Sequence, residues 1–334
     1  MALEAEELVE PPDDDEEFTE VPYKSGDRWE IDFSKLEIPD ADKLEVKRGL
    51  HGMLYRSRYG GNDVAVKFLE WGALTPDEIA HKRSLLREVA NQWELLCYPN
   101  IAKFYGASIG TTDLIGVLRP SGIPPRRNTE GPHHLMKHAE SKLAYKDVVS
   151  LALEMARGLS HLHLFGIVHR DVKTENVLFD GEGILKIADF GVARIKADPK
   201  EMTGKKGSTP MYMAPEVLKG KPYNYKCDVY SFGICLWEIY CSQTPYMDKD
   251  VSIADLSLKI VKGGLRPKIP RRCPRAIAQI MRKCWDANPE KRPNMDEVVQ
   301  RLDTLAKKID RRMAQLNSPP AAGCFCMSLG RSSA

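Results

Sequence analysis

Three stretches of the chain carry a helical rhythm of apolar residues. From Val148 to Leu164, Leu151, Met155, Leu159 and Leu162 fall on one face, which predicts a buried core helix. Asp228-Val229-Tyr230-Ser231-Phe232-Gly233 opens a second, strongly apolar helix. Met295 to Leu316 reads as a closing amphipathic helix. Nearer the amino terminus the rhythm changes. Leu36-Glu37-Ile38 and Leu44-Glu45-Val46 alternate like strand edges, and Val64-Ala65-Val66-Lys67 reads as a buried strand that delivers one cation. Residues 1–25 show no period; they are acidic, contain Pro11, Pro12 and Pro22, and read as disordered, so order is expected from about Trp29.

One stretch breaks the pattern. Residues 115–131 hold three prolines and three arginines, a composition that argues against a buried central strand. An exposed, flexible insert is one reading. A second comes from the genetic code. With allowed codons, residues 117–131 read one base later can spell Cys-Cys-Val-x-Val-Glu-Tyr-Leu-Pro-Gly-Gly-Thr-Leu-Lys-Ala, so the segment has the form of a frame-shifted strand and turn.

The chemistry concentrates after the first long helix. His169-Arg170-Asp171-Val172-Lys173-Thr174-Glu175-Asn176 is followed, thirteen residues on, by Asp189-Phe190-Gly191. Two carboxylates and a neutral amide in this order are the groups that phosphoryl transfer requires. One carboxylate orients the attacking hydroxyl, and hard oxygen ligands hold a divalent cation. The pattern H-R-D-x-K-x-x-N with D-F-G resembles the eukaryotic protein kinases. Further stretches narrow the resemblance, among them Trp29-Glu30-Ile31-Asp32, Gly106-Ala107-Ser108-Ile109-Gly110-Thr111 and Lys186-Ile187-Ala188-Asp189-Phe190-Gly191-Val192-Ala193-Arg194. They are similar to plant Raf-like kinases of the tyrosine-kinase-like group, the group C MAP kinase kinase kinases.

The resemblance implies an α+β, two-lobed protein kinase fold with a small, mainly β N-lobe and a large, mainly α C-lobe. It divides the chain into an acidic tail (1–28), a kinase domain (29–310) and a C-terminal tail (311–334). Within the domain the N-lobe would be 29–113, the anomalous hinge segment 114–134 and the C-lobe 135–310. It also implies a Ser/Thr protein kinase in intracellular signalling that uses ATP with Mg2+ (or Mn2+). Asp171 would be the base or orienter of the substrate hydroxyl, Lys173 would reach the γ-phosphate, and Asn176 and Asp189 would hold the metal. Lys67 would pair the phosphates with Glu88. Gly49 and Gly52, flanked by Val46 and Leu54, would form the glycine-rich turn over the nucleotide, where a side chain would block approach of backbone N–H groups to phosphate. Thr203, Ser208 and Thr209 are activation-segment candidates, with Arg170 as the cationic partner of a phosphate. Structural roles fall to His169, Phe190, Gly191, Glu216, Asp228 and Arg292, with Asp228 tying down the catalytic loop and Arg292 pairing with Glu216. The alternative is a catalytically weak pseudokinase or scaffold, because segment 115–131 replaces the usual adenine-binding hinge.

Bulk properties add limits. No run of about 18 apolar residues is present, and the first residues lack the character of a signal or transit peptide. Residues 1–20 contain ten Asp or Glu and no Lys or Arg; with a total charge of +2 the remainder carries +12. No nucleic-acid motif accompanies that balance, so it is assigned to nucleotide and phosphate handling. The eight cysteines are scattered and read mostly as small buried hydrophobes of a reducing, cytoplasmic compartment. The expected partner is a protein substrate, with a downstream kinase as one candidate. Cys324 and Cys326, set among apolar residues, are either acylation sites for peripheral plasma-membrane association or spare thiols of a disordered tail; a C-a-a-X ending is absent.

Overall fold

The computed structural model describes residues 31–37, 47–49, 52–59, 61–70, 75–81, 84, 98–109, 113–119, 142–180, 182–188, 210–247 and 252–317. It has the expected α+β, two-lobed architecture. The amino-terminal lobe is a six-stranded antiparallel sheet built from β1 (Leu36–Glu37), β2 (Lys47–Gly49), β3 (Gly52–Tyr59), β4 (Asn62–Glu70), β5 (Lys103–Ile109) and β6 (Asp113–Arg119). The strand order is β1-β3-β4-β6-β5, with β2 paired to β3. Val64 and Val66 are buried with Ile31, Leu36 and Tyr59 in a small core of this lobe. The strand predicted from Val64-Ala65-Val66-Lys67 and the strand edge at Leu36-Glu37 are both present. The acidic residues 1–25 and the strand edge at Leu44-Glu45-Val46 lie outside the described residues.

One expectation is corrected here. The composition of 115–131 argued against a central strand, yet β6 sits between β4 and β5. It pairs from Ala65↔Leu118 to Glu70↔Asp113 on one side, and from Lys103↔Arg119 to Ile109↔Leu114 on the other. The physical reason is position. All three prolines come after the strand, at 120, 124 and 125, and within Asp113–Arg119 every residue keeps a backbone N–H for the ladder. The expected N-lobe limit at residue 113 therefore falls at the start of a sheet strand rather than at its end. Residues 120–134, the rest of the anomalous segment, lie outside the described residues.

The larger lobe is helical. Its long helix α1 (Tyr145–Leu164) buries Val148, Val149, Ala152, Met155, Leu159 and Leu162, while Leu151 is half-buried at the margin. α2 (Pro215–Leu218) is a single turn. Fifteen of the sixteen residues of α3 (Lys226–Cys241) are buried, as expected for a helix apolar on all sides. α4 (Ile253–Gly263), α5 (Arg275–Cys284) and α6 (Met295–Asn317) complete the lobe. A hairpin of β7 (Val177–Phe179) and β8 (Leu185–Ile187) lies on α1.

Two close approaches fix this packing. A Cβ at Gly158 in α1 would stand 2.7 Å from Ile187 Cδ1 and 2.8 Å from the Asn100 carbonyl oxygen. A Cβ at Gly233 in α3 would stand 2.8 Å from Cys284 Cβ. The first contact joins the lobes: Ala102 N–H donates to the Ile187 carbonyl, Ile187 N–H to the Asn100 carbonyl, and Asn100 Nδ2 to the Leu185 carbonyl. Cys227, Cys235, Cys241 and Cys284 are buried free thiols and Cys273 is half-buried. Burial holds the thiols of Cys227 and Cys235 protonated and pushes those of Cys241 and Cys284 up to about 12. Among the described residues no helix is long and apolar enough to cross a membrane.

Candidate active site

The site is a loop strung between α1 and β7 and fastened to α3. α1 stops at Leu164, and Gly166 takes φ 69°, a left-handed turn suited to glycine. The chain then doubles back, with Ile167 N–H donating to the Leu162 carbonyl at 2.9 Å. Arg170 also lies in the left-handed region, at φ 70°. A non-glycine residue there costs about 1–3 kcal/mol and persists only where its surroundings over-determine it. Asp228, the third residue of α3, provides that restraint. Its Oδ2 accepts the backbone N–H of His169 and its Oδ1 the backbone N–H of Arg170, both at 2.8 Å. His163 Nε2 completes the set at 2.9 Å from Asp228 Oδ2. Burial works to raise the Asp228 carboxyl, but the hydrogen bonds from the His163 ring and the His169 backbone outweigh it and hold the group below the usual carboxylate range.

His169 is buried and used at both ring nitrogens. Nδ1 accepts the Asp171 N–H at 3.3 Å, which makes Nε2 the donor to the Ala188 carbonyl at 3.0 Å. It thereby ties the loop to the residue just before Asp189.

The three predicted catalytic-loop side chains come together. Lys173 Nζ lies 3.1 Å from Asp171 Oδ2 and 3.8 Å from Glu175 Oε2. Asn176 Nδ2 donates to both the carbonyl oxygen and Oδ2 of Asp171, at 2.8 Å each. Lys173 is nearly sealed, with 5% of its side chain exposed, whereas Asp171 keeps 20% open. A carboxylate held at Oδ2 and partly open to solvent can receive the proton of a docked hydroxyl. Asn176 spends its amide protons on Asp171, and among the described residues nothing uses its Oδ1. That leaves a hard, neutral oxygen of the kind a divalent cation takes.

A second network was not legible in the motifs. Glu238, buried in α3, accepts the Thr174 hydroxyl at 2.9 Å and the Tyr212 hydroxyl at 2.7 Å, both on Oε2. Ser231 Oγ donates to the Tyr212 carbonyl at 2.7 Å. Burial, then the Glu238 charge, keeps the Tyr212 phenol well above its ordinary pKa and therefore a donor. One carboxylate thus binds the middle of the catalytic loop to the stretch just before Ala214-Pro215-Glu216. The available signal was a single acid inside the apolar run Ile234-Cys235-Leu236-Trp237-Glu238-Ile239.

The predicted Arg292–Glu216 pair is present and bidentate, at 2.6 and 2.8 Å. Arg292 also donates to the carbonyls of Lys226 and Asp286, and Lys226 Nζ donates back to the Arg292 carbonyl. Each buried cation in this group therefore has a carboxylate or carbonyl partner.

The remaining expected positions are in the sheet or beyond description. Gly49 pairs with Gly52 at the end of the β2–β3 hairpin, and Lys67 stands opposite Leu54 on one side and Gly116 on the other. Val46, Glu88, Asp189, Phe190, Gly191, Thr203, Ser208 and Thr209 lie outside the described residues.

Comparison with known proteins matches residues 43–302 to the protein tyrosine and serine/threonine kinase family. The chain belongs to that family. Among its relatives is the serine/threonine-protein kinase STY17 of Arabidopsis thaliana, 32% identical over 87% of this chain and 48% of its own length. The serine/threonine/tyrosine-protein kinase HT1 of the same plant is 31% identical over 83% of this chain and 68% of its own. A putative serine/threonine-protein kinase/receptor of Acanthamoeba polyphaga mimivirus, R831, is 34% identical over 86% of this chain but only 17% of its own. This kinase chain therefore spans about half or less of the length of several curated relatives. The resemblance to plant Raf-like kinases read from the motifs is borne out by the Arabidopsis relatives.

Proposed function

We propose that the chain transfers the γ-phosphate of ATP to Ser or Thr hydroxyls of a protein substrate in intracellular signalling, as a Raf-like kinase. The observation that carries this reading is the Asp171–Lys173–Asn176 cluster. Asp171 accepts or orients the hydroxyl proton. Lys173, held 3.1 Å from Asp171 Oδ2, offers one positive charge beside the reacting atoms, where negative charge develops on the phosphoryl group. Asn176 Oδ1, with Asp189, would hold Mg2+, which supplies charge neutralisation when bound. Lys67, paired with Glu88, and the turn between Gly49 and Gly52 would hold the nucleotide phosphates. Arg170 would receive a phosphate on Thr203, Ser208 or Thr209. A downstream kinase is the substrate class the Raf-like resemblance suggests, and a cytoplasmic location suits it. The scaffold alternative drew on segment 115–131 in place of the hinge and on the altered glycine loop; β6 supplies the strand that leads into that segment, and the relatives are serine/threonine-protein kinases by name, which favours the enzyme reading.

The test is transfer of labelled phosphate from Mg-ATP to a generic protein substrate by the full chain. Asp171→Asn should reduce kcat by at least a hundredfold while leaving nucleotide affinity nearly unchanged. Wild-type rates in that variant would remove the role given to Asp171.

A further inference from the structure

Residues 256–285, which run from α4 through α5, contain nine Lys or Arg and no Asp or Glu. Eight of the nine are exposed: Lys259, Lys262, Lys268, Arg271, Arg272, Arg275, Arg282 and Lys283; the ninth, Arg266, is half-buried over the Tyr230 ring. Among the described residues none of the eight makes an ion pair. An ordinary solvated face interleaves both signs, so thirty residues of one sign form a field.

That field continues across neighbouring elements. Tyr240 in α3 donates its hydroxyl to the Arg272 carbonyl at 3.3 Å. The adjacent Cys273 and Tyr145, the first residue of α1, both pack with Tyr240 at the margin of the same core. Lys146, next in α1, pairs with Asp310 of α6 at 3.2 Å, so that carboxylate is already engaged. The carboxy-terminal end of α6 thus lies beside the start of α1, and it adds Lys308, Arg311 and Arg312, all exposed.

The same end of α6 is also apolar on one side. Val298, Leu302, Leu305 and Ile309 form the stripe that packs on the core. Met313 and Leu316 continue that stripe at helical spacing, but they are 48% and 72% exposed. Cys324-Phe325-Cys326-Met327 begins seven residues past Asn317, a span of at most about 25 Å.

We propose that this end of the large lobe is a docking face for an anionic lipid surface. Its basic residues face the headgroups, and Met313 and Leu316 enter the interface. Exposed cations beside apolar side chains fit a bilayer, which offers negative charge above hydrocarbon, better than an acidic polypeptide, which offers charge alone. The face supplies the second of the two signals that stable anchoring needs, the first being an acyl chain on Cys324 or Cys326. It acts without that modification and independently of catalysis.

The test uses the full, unacylated chain, sedimented with vesicles of phosphatidylcholine alone or with about one-third phosphatidylserine. Binding is expected on the anionic vesicles only, falling steeply as salt is raised because surface charges are screened within about 8–10 Å. Arg271→Glu with Arg272→Glu and Arg275→Glu should reduce it at least tenfold, and so should Arg311→Glu with Arg312→Glu. Met313→Asp with Leu316→Asp should weaken it at low and high salt alike. Retained phosphotransfer to a soluble substrate will show that each variant is folded. Equal binding to neutral vesicles, undiminished binding by the charge-reversed variants, or capture by polyglutamate without vesicle binding would overturn the proposal.

Discussion

Asp228 accepts the backbone N–H of Arg170 at 2.8 Å while Arg170 holds a left-handed φ of 70°. The carboxylate sits on a rigid, buried helix, and the peptide it grips lies immediately before Asp171. Asp228 fixes the backbone from which Asp171 projects. Its second oxygen holds the His169 N–H in the same way. Together the two bonds offset the conformational cost at Arg170.

Asp228→Asn should therefore damage both stability and rate. An amide keeps one acceptor and turns the other arm into a donor facing an N–H, so one backbone donor is left unpaired. The expected loss is about 2–4 kcal/mol of unfolding free energy in denaturant titration, with a larger fall in kcat than rise in KM. The pH dependence has a definite sign. The folded Asp228 pKa is below the ordinary 3.8. Its contribution is complete above the unfolded value and is lost only as pH falls through the lower folded one. Denaturant midpoints of wild type and Asp228→Asn should thus differ by a constant amount from neutral pH down to about 4 and converge only in stronger acid.

The pair Arg292–Glu216 yields a different expectation. The guanidinium makes a fork to both carboxylate oxygens and gives two further bonds to backbone carbonyls. It also lies 5.2 Å from the centroid of the Tyr230 ring. Lysine carries the same charge but cannot fill those directions at once. Arg292→Lys should cost about 2–4 kcal/mol in thermal unfolding, mostly from buried acceptors left without donors. A loss below about 0.5 kcal/mol would mean the fork contributes little to the fold.

These two relationships also show how far the chain could be read beforehand. Asp228, Glu216, Arg292 and the grouping of Asp171, Lys173 and Asn176 were legible because each lies in a motif with fixed spacing, and their spatial partners follow from the fold those motifs imply. The strand at 113–119 was misjudged because the composition of 115–131 was weighed as a whole. Prolines beyond a strand do not weaken its ladder, and only the residues inside it count. Thr174 and Tyr212 were missed for another reason. A hydroxyl carries no pattern, and the residues it bonds are 64 and 26 positions away. Only the isolated acid in the apolar run of α3 pointed to them.

That acid supports the last prediction. Glu238 accepts two hydroxyl hydrogen bonds on one buried oxygen, from Thr174 in the 174–176 turn and Tyr212 ahead of α2. The turn of residues 174–176 ends in Asn176, whose amide holds Asp171. Thr174→Val keeps the shape and deletes the hydroxyl, so Glu238 loses one donor in a low-dielectric site, at a cost of about 1–3 kcal/mol. A purely structural role would lower stability and leave the rate of the folded fraction intact. A positioning role also lowers kcat, by about three- to tenfold, with little change in KM for ATP, because the Asn176–Asp171 bond loosens with the turn. Thr174→Ser, which restores the hydroxyl, should recover kcat even where the lost methyl leaves stability reduced. Steady-state rates corrected for the folded fraction decide the matter: equal kcat for the serine and valine variants would confine Glu238 to holding the fold.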